Sequence, residues 1–295
     1  MRVSTRQWFF LVLILVAAAF GLTSCSLRPL LSGVSVQPEN ISPNADGQDD
    51  VTLVRYTIGR TSHVSIYVID AQGARYYFRN GERRSRGDYQ VYWSGVTIDP
   101  ELRQVDGGPM LVTSQVLPDG EYTWVIEAVD LSGQTDKREG RITLTGGDTA
   151  LPEIHNFVVV PQDFTPNQDG IHDRVSISYF LLKDAERVEV YLEPLSTGEN
   201  QVPLHYPIAE DPTKSISETG MAGYHGYDYD GGVDQNAEPP PDGDYAIYAE
   251  AADKVGNRVV VSSTLTISEG GKPRANILGG EIDWSNEVSR EVSVL

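Results

Sequence analysis

The chain has 295 residues, a formal net charge of −19 and 40% hydrophobic residues. That hydrophobic content is enough to bury folded cores, which excludes a disordered chain, and the acidic charge disfavours binding to nucleic-acid phosphates. The frequencies of Tyr, Gly and Pro, at 15, 28 and 17, favour strands and turns over helices. The single cysteine excludes an internal disulfide framework and any multi-cysteine metal site.

The N-terminus has the composition of a secretory signal. Arg2 and Arg6 precede an uncharged, mostly apolar run from Trp8 to Leu22, which is short for a membrane-spanning helix and suits an exported signal peptide. Cys25 follows that run after Thr23 and Ser24, and the segment resembles the signal of bacterial lipoproteins. The resemblance implies cleavage of residues 1–24 and attachment of diacylglycerol and palmitate-type acyl chains at Cys25. An uncleaved N-terminal anchor with an incidental cysteine is the alternative.

The lipoprotein interpretation predicts where the protein resides. Residues 25–33 would be a lipidated tether, since two or more acyl chains hold a protein stably at a membrane. The remaining chain contains no other long apolar run, so it is expected on the extracytoplasmic face of the cell membrane or the outer membrane. Ser26 in place of Asp resembles lipoproteins that are sorted to the outer membrane.

The rest of the chain is an internal repeat with an offset of 123 residues. The segment from Val36 aligns without gaps on the segment from Val159, and the P-D-G-x-Y motif at Pro118 recurs at Pro241. We predict two homologous domains, 34–146 and 153–268, joined by a linker at 147–152. The tail, 269–295, contains one short alternating strand that could add to a sheet edge.

Within each repeat the hydrophobic period is two residues, as in Val64–Val68 and Val188–Leu192. Short alternating strands separated by turn signals predict an all-β chain of two tandem Ig-like antiparallel β-sandwiches. The opening P-N-x-D-G-x-x-D, a central aromatic-x-G, P-D-G-x-Y and D-x-x-G resemble the FlgD-type immunoglobulin-like domain, which is similar to fibronectin type III folds. The resemblance covers both repeats and implies the fold, and it does not imply a flagellar role.

The P-N-x-D-G-x-x-D loops are candidate calcium sites, since oxygen ligands spaced by two around a Gly turn resemble the start of a calcium loop. The complete twelve-residue calcium-loop motif is absent, and a tight turn capped by its own Asn and Asp side chains is the alternative. The residues concerned are Asn44, Asp46, Asp50, Asn167, Asp169 and Asp173. No other cofactor is expected.

Two further clusters could contact a partner. An aromatic, Gly-rich segment contains Tyr224, Tyr227 and Tyr229 and suits sugar or protein recognition, although sandwich loops also carry tyrosines. A group of bases stands out in this acidic chain and could bind lipid headgroups or an acidic partner, or form a solvated hairpin tip. These bases are Arg79, Arg83, Arg84 and Arg86.

No enzymatic motif is present: the histidines are scattered, and the chain has no nucleophile elbow, Walker loop or dinucleotide-binding fingerprint. We therefore predict a non-catalytic, lipid-anchored interaction protein that docks on a protein partner in a membrane or cell-envelope assembly. The alternative is a cell-surface adhesin or glycan-binding lipoprotein. A nucleic-acid partner is not expected.

Overall fold

A computed structural model describes residues 29–196, 204–235 and 237–270, together with the backbone of three short strands beyond Gly270. These residues form strands and one 3₁₀ turn, Val233–Gln235, and contain no α-helix, which confirms the predicted all-β class. In chain order the strands are β1 (Leu31–Gln37), β2 (Asn40–Ile41), β3 (Thr52–Ile58), β4 (Ser62–Ile69), β5 (Arg75–Arg84), β6 (Gly87–Trp93), β7 (Val96–Thr97), β8 (Glu101–Val105), β9 (Gly108–Val116), β10 (Gly120–Asp130), β11 (Thr135–Leu144), β12 (Ile154–Val160), β13 (Asp163–Phe164), β14 (Val175–Leu181), β15 (Arg187–Pro194), β16 (Tyr206–Ile208), β17 (Gly223–Tyr229), β18 (Gly243–Ala252), β19 (Arg258–Ile267), β20 (Ala275–Leu278), β21 (Glu281–Trp284) and β22 (Val292–Ser293).

The chain divides into two compact units. The first contains the described residues up to Ile41, with Val51–Trp93 and Gly120–Thr145, and the second contains Ser42–Asp50, Ser94–Asp119 and the chain from Gly146 onward. No helix in the described part of the chain is long and apolar enough to cross a membrane.

The first unit has a three-stranded sheet, β1-β3-β6, and a five-stranded sheet, β2-β11-β10-β4-β5. Its strands form because alternate residues are apolar, as in β3, where Val54, Tyr56 and Ile58 are buried. The sheets meet through side chains such as Phe78 of β5 and Trp93 of β6, whose rings stack with centroids 5.2 Å apart. This arrangement is a β-sandwich.

The second unit repeats the architecture with a larger second sheet. Its three-stranded sheet is β12-β14-β17, and its eight-stranded sheet has the order β16-β15-β18-β19-β9-β7, with β13 paired to β19 and β8 paired to β9. Phe164 of β13 and Tyr229 of β17 lie 5.5 Å apart between ring centroids and link the two sheets. The core is lined by alternating residues of β14 and β18, including Ile177, Tyr179 and Ile247.

Residues 94–119 lie in the first sequence repeat but belong to the second unit. Strand β9 pairs antiparallel with β19, with Val112 opposite Val259 and Met110 opposite Val261. Met110 and Val112 are fully buried in the core of the second unit. The repeat bounds 34–146 and 153–268 do not account for the assignment of residues 94–119 to the second unit. As folding boundaries they stay a prediction.

Candidate interaction surface

The solvent side of the β12-β14-β17 sheet carries exposed apolar side chains. In β14, Val175, Ile177 and Tyr179 point into the core, so the intervening residues face outward. Register places Phe180 opposite Tyr224 of β17. Leu182 follows β14, and its backbone N–H donates to the carbonyl of Glu153 at 3.0 Å. We call the following residues, which are 37–57% exposed, the apolar face: Val158, Val160, Phe180, Leu182 and Tyr224.

The first unit has polar or small residues at the equivalent positions. The 123-residue offset maps Val158, Val160, Phe180 and Leu182 onto the positions of Ser35, Gln37, Thr57 and Gly59. Thr57 pairs with Asp88 in the first unit, at the position where Phe180 pairs with Tyr224 in the second. The Thr57 hydroxyl donates to the Asp88 carboxylate at 2.6 Å. Two copies of one scaffold therefore differ on this face, so the fold does not require its apolar character.

The solvent side of the first unit's β1-β3-β6 sheet has an apolar cross-strand pair at a different position from the apolar face. Leu53 lies opposite Tyr92, which is 65% exposed, and the equivalent pair in the second unit is Ser176 and Asp228. Tyr92 thus provides a matched exposed aromatic residue outside the apolar face.

The two P-N-x-D-G-x-x-D loops have the same hydrogen-bonded conformation. In the first, the Asp50 carboxylate accepts the backbone N–H groups of Ala45 and Gly47, each at 2.7 Å, and of Asn44 at 3.2 Å. In the second, Asp173 accepts those of Gln168 and Gly170, both at 2.5 Å. The final aspartate therefore caps the turn in both repeats.

The middle of each loop is held by Asx-type contacts. Asn44 Oδ1 accepts the N–H of Asp46 at 3.0 Å, and Asn167 Oδ1 accepts that of Asp169 at 3.0 Å. Ala45 and Gln168 both have φ of 61°, which is the left-handed region. The six residues predicted as calcium ligands are thus brought together in two loops, where they bond the backbone of their own turns.

Calcium at these loops stays a prediction. The carboxylates of Asp50 and Asp173 accept three and two backbone N–H groups, so each keeps acceptor positions that a cation could use. Among the described residues, no group of three or more His, Cys, Asp or Glu side chains is arranged to hold a metal ion.

Calcium binding predicts a higher Tm for residues 26–295 in Ca²⁺ than in chelator. A hundredfold excess over Kd corresponds to about 2.7 kcal/mol of stabilisation. Thermal unfolding of the wild type and of the Asp50→Asn, Asp173→Asn double variant checks this, and an equal Tm with and without Ca²⁺ would exclude calcium.

The first loop also predicts a pH effect. Burial acts to raise the pKa of Asp50, but the N–H groups of Gly47, Asn44 and Ala45 outweigh it and hold that pKa below its ordinary value of 3.8. A lowered folded-state pKa stabilises the turn above about pH 4, and this contribution disappears as the pH falls further. We expect the Gly47 amide NMR signal to shift cooperatively below pH 4 in the wild type and not in Asp50→Asn. A Gly47 signal that does not follow Asp50 titration would contradict this prediction.

The aromatic segment predicted as a partner site is strand β17, not a loop, because its alternate residues enter the core. Tyr227 is 3% exposed, and its hydroxyl lies 3.2 Å from that of Tyr179. Burial raises the pKa of Tyr227 to about 12. Tyr229 packs on Phe164, while Tyr224 is exposed and belongs to the apolar face. The three tyrosines therefore do not form one accessible site.

The four arginines lie on β5 and the turn that follows it. Arg79 and Arg84 both pair with Glu82, and Arg84 also lies over the Tyr89 ring at 5.3 Å from its centroid. Arg83 and Arg86 are exposed. Binding of an acidic partner or lipid headgroups by these residues stays a prediction.

Several predicted features lie outside the described residues. Residues 1–28 include the signal peptide and Cys25, so cleavage and lipidation stay predictions. In the tail, backbone pairing links β20 to β21 and β21 to β22. The predicted strand around Val288–Val294 lies mostly outside the described residues.

Comparison with known proteins gives structural neighbours only. No family model and no curated protein matches the chain. Three solved structures resemble it: a Ca²⁺-stabilized adhesin with which an Antarctic bacterium binds ice (12% identity, TM-score 0.23, 81% of this chain and 48% of that one), the tetra-tandem repeat in the extending region of a large adhesion protein (14%, 0.22, 86% and 54%), and dimeric latent PorU from Porphyromonas gingivalis (14%, 0.26, 88% and 27%).

The chain thus spans between 27% and 54% of the length of those chains. With TM-scores of 0.22–0.26, none of the three determines the function of this protein.

Proposed function

We propose that this chain is a lipid-anchored, extracytoplasmic interaction protein that docks on a protein partner of the cell envelope through the apolar face. The observation that carries this proposal is the contrast between repeats: Phe180 and Tyr224 are exposed where Thr57 and Asp88 occupy the same register positions. Contiguous exposed apolar side chains mark interaction sites in soluble domains. The tandem FlgD-type Ig-like domains serve as a scaffold for that face, and no catalytic role is proposed.

The docking test replaces three residues of the apolar face with those of the first repeat. The variant Val158→Ser, Val160→Gln, Phe180→Thr replaces outward-facing side chains only, so the fold is expected to survive. Membranes are solubilised in mild detergent, and quantitative mass spectrometry measures the partner recovered per copy of this protein. We expect at least a tenfold loss, which corresponds to about 1.4 kcal/mol of binding free energy.

The matched control is Tyr92→Asp, which places the residue found at position 228 on the equivalent exposed position of the first unit. It should keep wild-type recovery, and both variants should keep the wild-type Tm. Undiminished recovery by the triple variant would overturn the assignment of the apolar face. Wild-type protein that migrates alone would overturn the docking function and favour the adhesin or glycan-binding alternative, for which glycan arrays with the soluble 26–295 fragment are the test.

The anchor is tested separately with Cys25→Ala. Because the lipid would be attached to the cysteine thiol, the variant should lack the acyl chains that the wild type carries. Intact mass measures the acyl chains and the presence of residues 1–24 in both proteins. A wild-type chain that keeps residues 1–24 and carries no acyl chain would show that the N-terminal apolar segment is an uncleaved anchor.

A further inference from the structure

Beside the apolar face, residues 209–222 lie along the edge of β17 that does not pair with β14. We call this segment the strap. Its backbone N–H groups at Asp211 and Ile216 donate to the carbonyls of Gly226 and Tyr224, at 3.2 and 3.0 Å. A Cβ added at Gly226 would lie 2.8 Å from Lys214 Cβ, so the glycine allows this close approach. Ile216 is 86% exposed and extends the apolar face next to Tyr224.

One buried side chain ties both ends of the strap to the core. His225 of β17 is 0% exposed, and its Nδ1 lies 2.6 Å from Glu210 Oε1 at the start of the strap. Its Nε2 lies 2.7 Å from the carbonyl oxygen of Met221 near the end. Glu210 also accepts the hydroxyls of Ser215, at 2.5 Å, and Thr219, at 2.6 Å.

The partners define the protonation of the ring. A carbonyl oxygen only accepts, so Nε2 carries a proton. Burial acts to raise the pKa of Glu210, but the hydroxyls of Ser215 and Thr219 and the imidazole together hold it below its ordinary value, so the carboxyl is ionised. Nδ1 therefore also donates, and both contacts are made only by the imidazolium.

Apart from Glu210, the side chains in contact with the ring carry no charge near neutral pH. From β14, the Tyr179 ring stacks on His225 with centroids 5.1 Å apart, and from β17 Tyr227 lies beside Tyr179. Burial raises the pKa of both tyrosines. On the strap, the Asp211 carboxylate accepts from Thr213, Lys214 is exposed, and Glu210 is the charge that faces the ring.

The first unit provides a counterpart without an imidazole. Tyr89 occupies the register position of His225 and stacks on Tyr56 with centroids 5.5 Å apart, as His225 does on Tyr179. Its hydroxyl donates to the carbonyl of Ser85 at 2.8 Å. The ring stacking therefore occurs in both repeats, whereas the contacts of an imidazole with Glu210 and Met221 occur in the second.

We propose that the proton on His225 is a switch that holds the strap on β17 and so controls the edge of the apolar face formed by Tyr224 and Ile216. Loss of that proton turns a lone pair toward Glu210 or Met221, which removes one buried hydrogen bond and releases the strap as the pH rises. The link to docking rests on the proposed function, but the switch itself does not.

The test follows the ring and the strap in the same protein. Nitrogen-15 NMR of the histidines is recorded from pH 5 to 10 on residues 26–295, and hydrogen exchange of the strap is measured over the same range and corrected for the intrinsic rate. We expect both His225 ring nitrogens to be protonated at low pH. As the ring titrates, the open fraction of the strap should rise at least tenfold, while β14 and β18 peptides stay protected.

His225→Gln keeps side-chain donors without a titration, so its strap should show no pH-dependent step. If that variant does not fold, the wild-type ring and strap data decide alone. A neutral ring at pH 5, or a strap whose protection is unchanged when His225 titrates, overturns the switch. These readouts need no partner, so a failure of docking and a failure of the switch are distinguished.

Discussion

Replacement of Asn257 by leucine should lower the free energy of unfolding of the second unit by about 3 kcal/mol. Asn257 is 0% exposed, and its Oδ1 accepts the backbone N–H of Val116 at 2.7 Å. Its Nδ2 lies 2.9 Å from the carbonyl of Asp148 and 2.8 Å from the Asp253 carboxylate. Leucine has a similar volume but leaves these partners without the amide, and each unsatisfied buried group costs about 1–3 kcal/mol.

The network matters because it joins three separate parts of the chain within the second unit. Val116 ends strand β9, Asp148 lies in the predicted linker, and Asp253 caps the turn between β18 and β19. Lys183 adds ion pairs to Asp148 and Asp253, each at 2.7 Å. Because the members share one hydrogen-bond network, their effects will not add independently.

Native-state hydrogen exchange of β18 and β19 peptides measures the stability of the second unit, and exchange of β10 and β11 peptides measures that of the first. The control is Gln134→Leu, at the equivalent position of the first repeat, where an exposed side chain accepts from Arg60 at 2.7 Å. That change should stay within about 0.5 kcal/mol. Equal effects of the two substitutions would show that the buried network does not stabilise the second unit.

The all-β class was predictable because alternation of apolar residues is a local property of each strand. The assignment of residues 94–119 to the second unit was not predictable, because a strand with alternating apolar residues such as Met110 and Val112 can pair with the edge of any sheet. Pairing of β9 with β19 depends on which edge is free, and that edge is formed more than 140 residues later in the chain. The asparagine that ends this pairing, Asn257, differs from Gln134 by one methylene group, so it gave little signal.

The candidate site shows the same division. Composition suggested an aromatic recognition loop at 224–229, but an aromatic, Gly-containing core strand has the same composition. The alternation of His225, Tyr227 and Tyr229 with Tyr224, Gly226 and Asp228 is the signal that distinguishes the two. The apolar face also had a signal in the sequence. When the two repeats are aligned, Val158, Val160 and Phe180 stand at the positions of Ser35, Gln37 and Thr57.

The close approach of the β8–β9 turn to β12 gives the second large effect: Gly107→Ala should destabilise the second unit by about 3 kcal/mol. Gly107 has φ of +101°, a region that disfavours any side chain. A Cβ there would lie 2.6 Å from both the Cα and the N of Asn156, which are backbone atoms that cannot rotate away. The neighbouring bond, from the Asn156 N–H to the Asp106 carbonyl at 2.6 Å, fixes the same contact.

The adjacent glycine, Gly108, separates the cost of backbone strain from the cost of the contact with Asn156. Gly108 also has positive φ, +134°, but a Cβ there would meet nothing within 4 Å. Gly108→Ala should therefore cost about 1 kcal/mol for backbone strain alone, and the excess for Gly107→Ala measures the contact with Asn156. Urea unfolding with hydrogen exchange of β9 and β12 peptides gives both values. Equal losses would mean that the turn shifts away from β12 without penalty, and that this close approach does not help to hold β9 in the second unit.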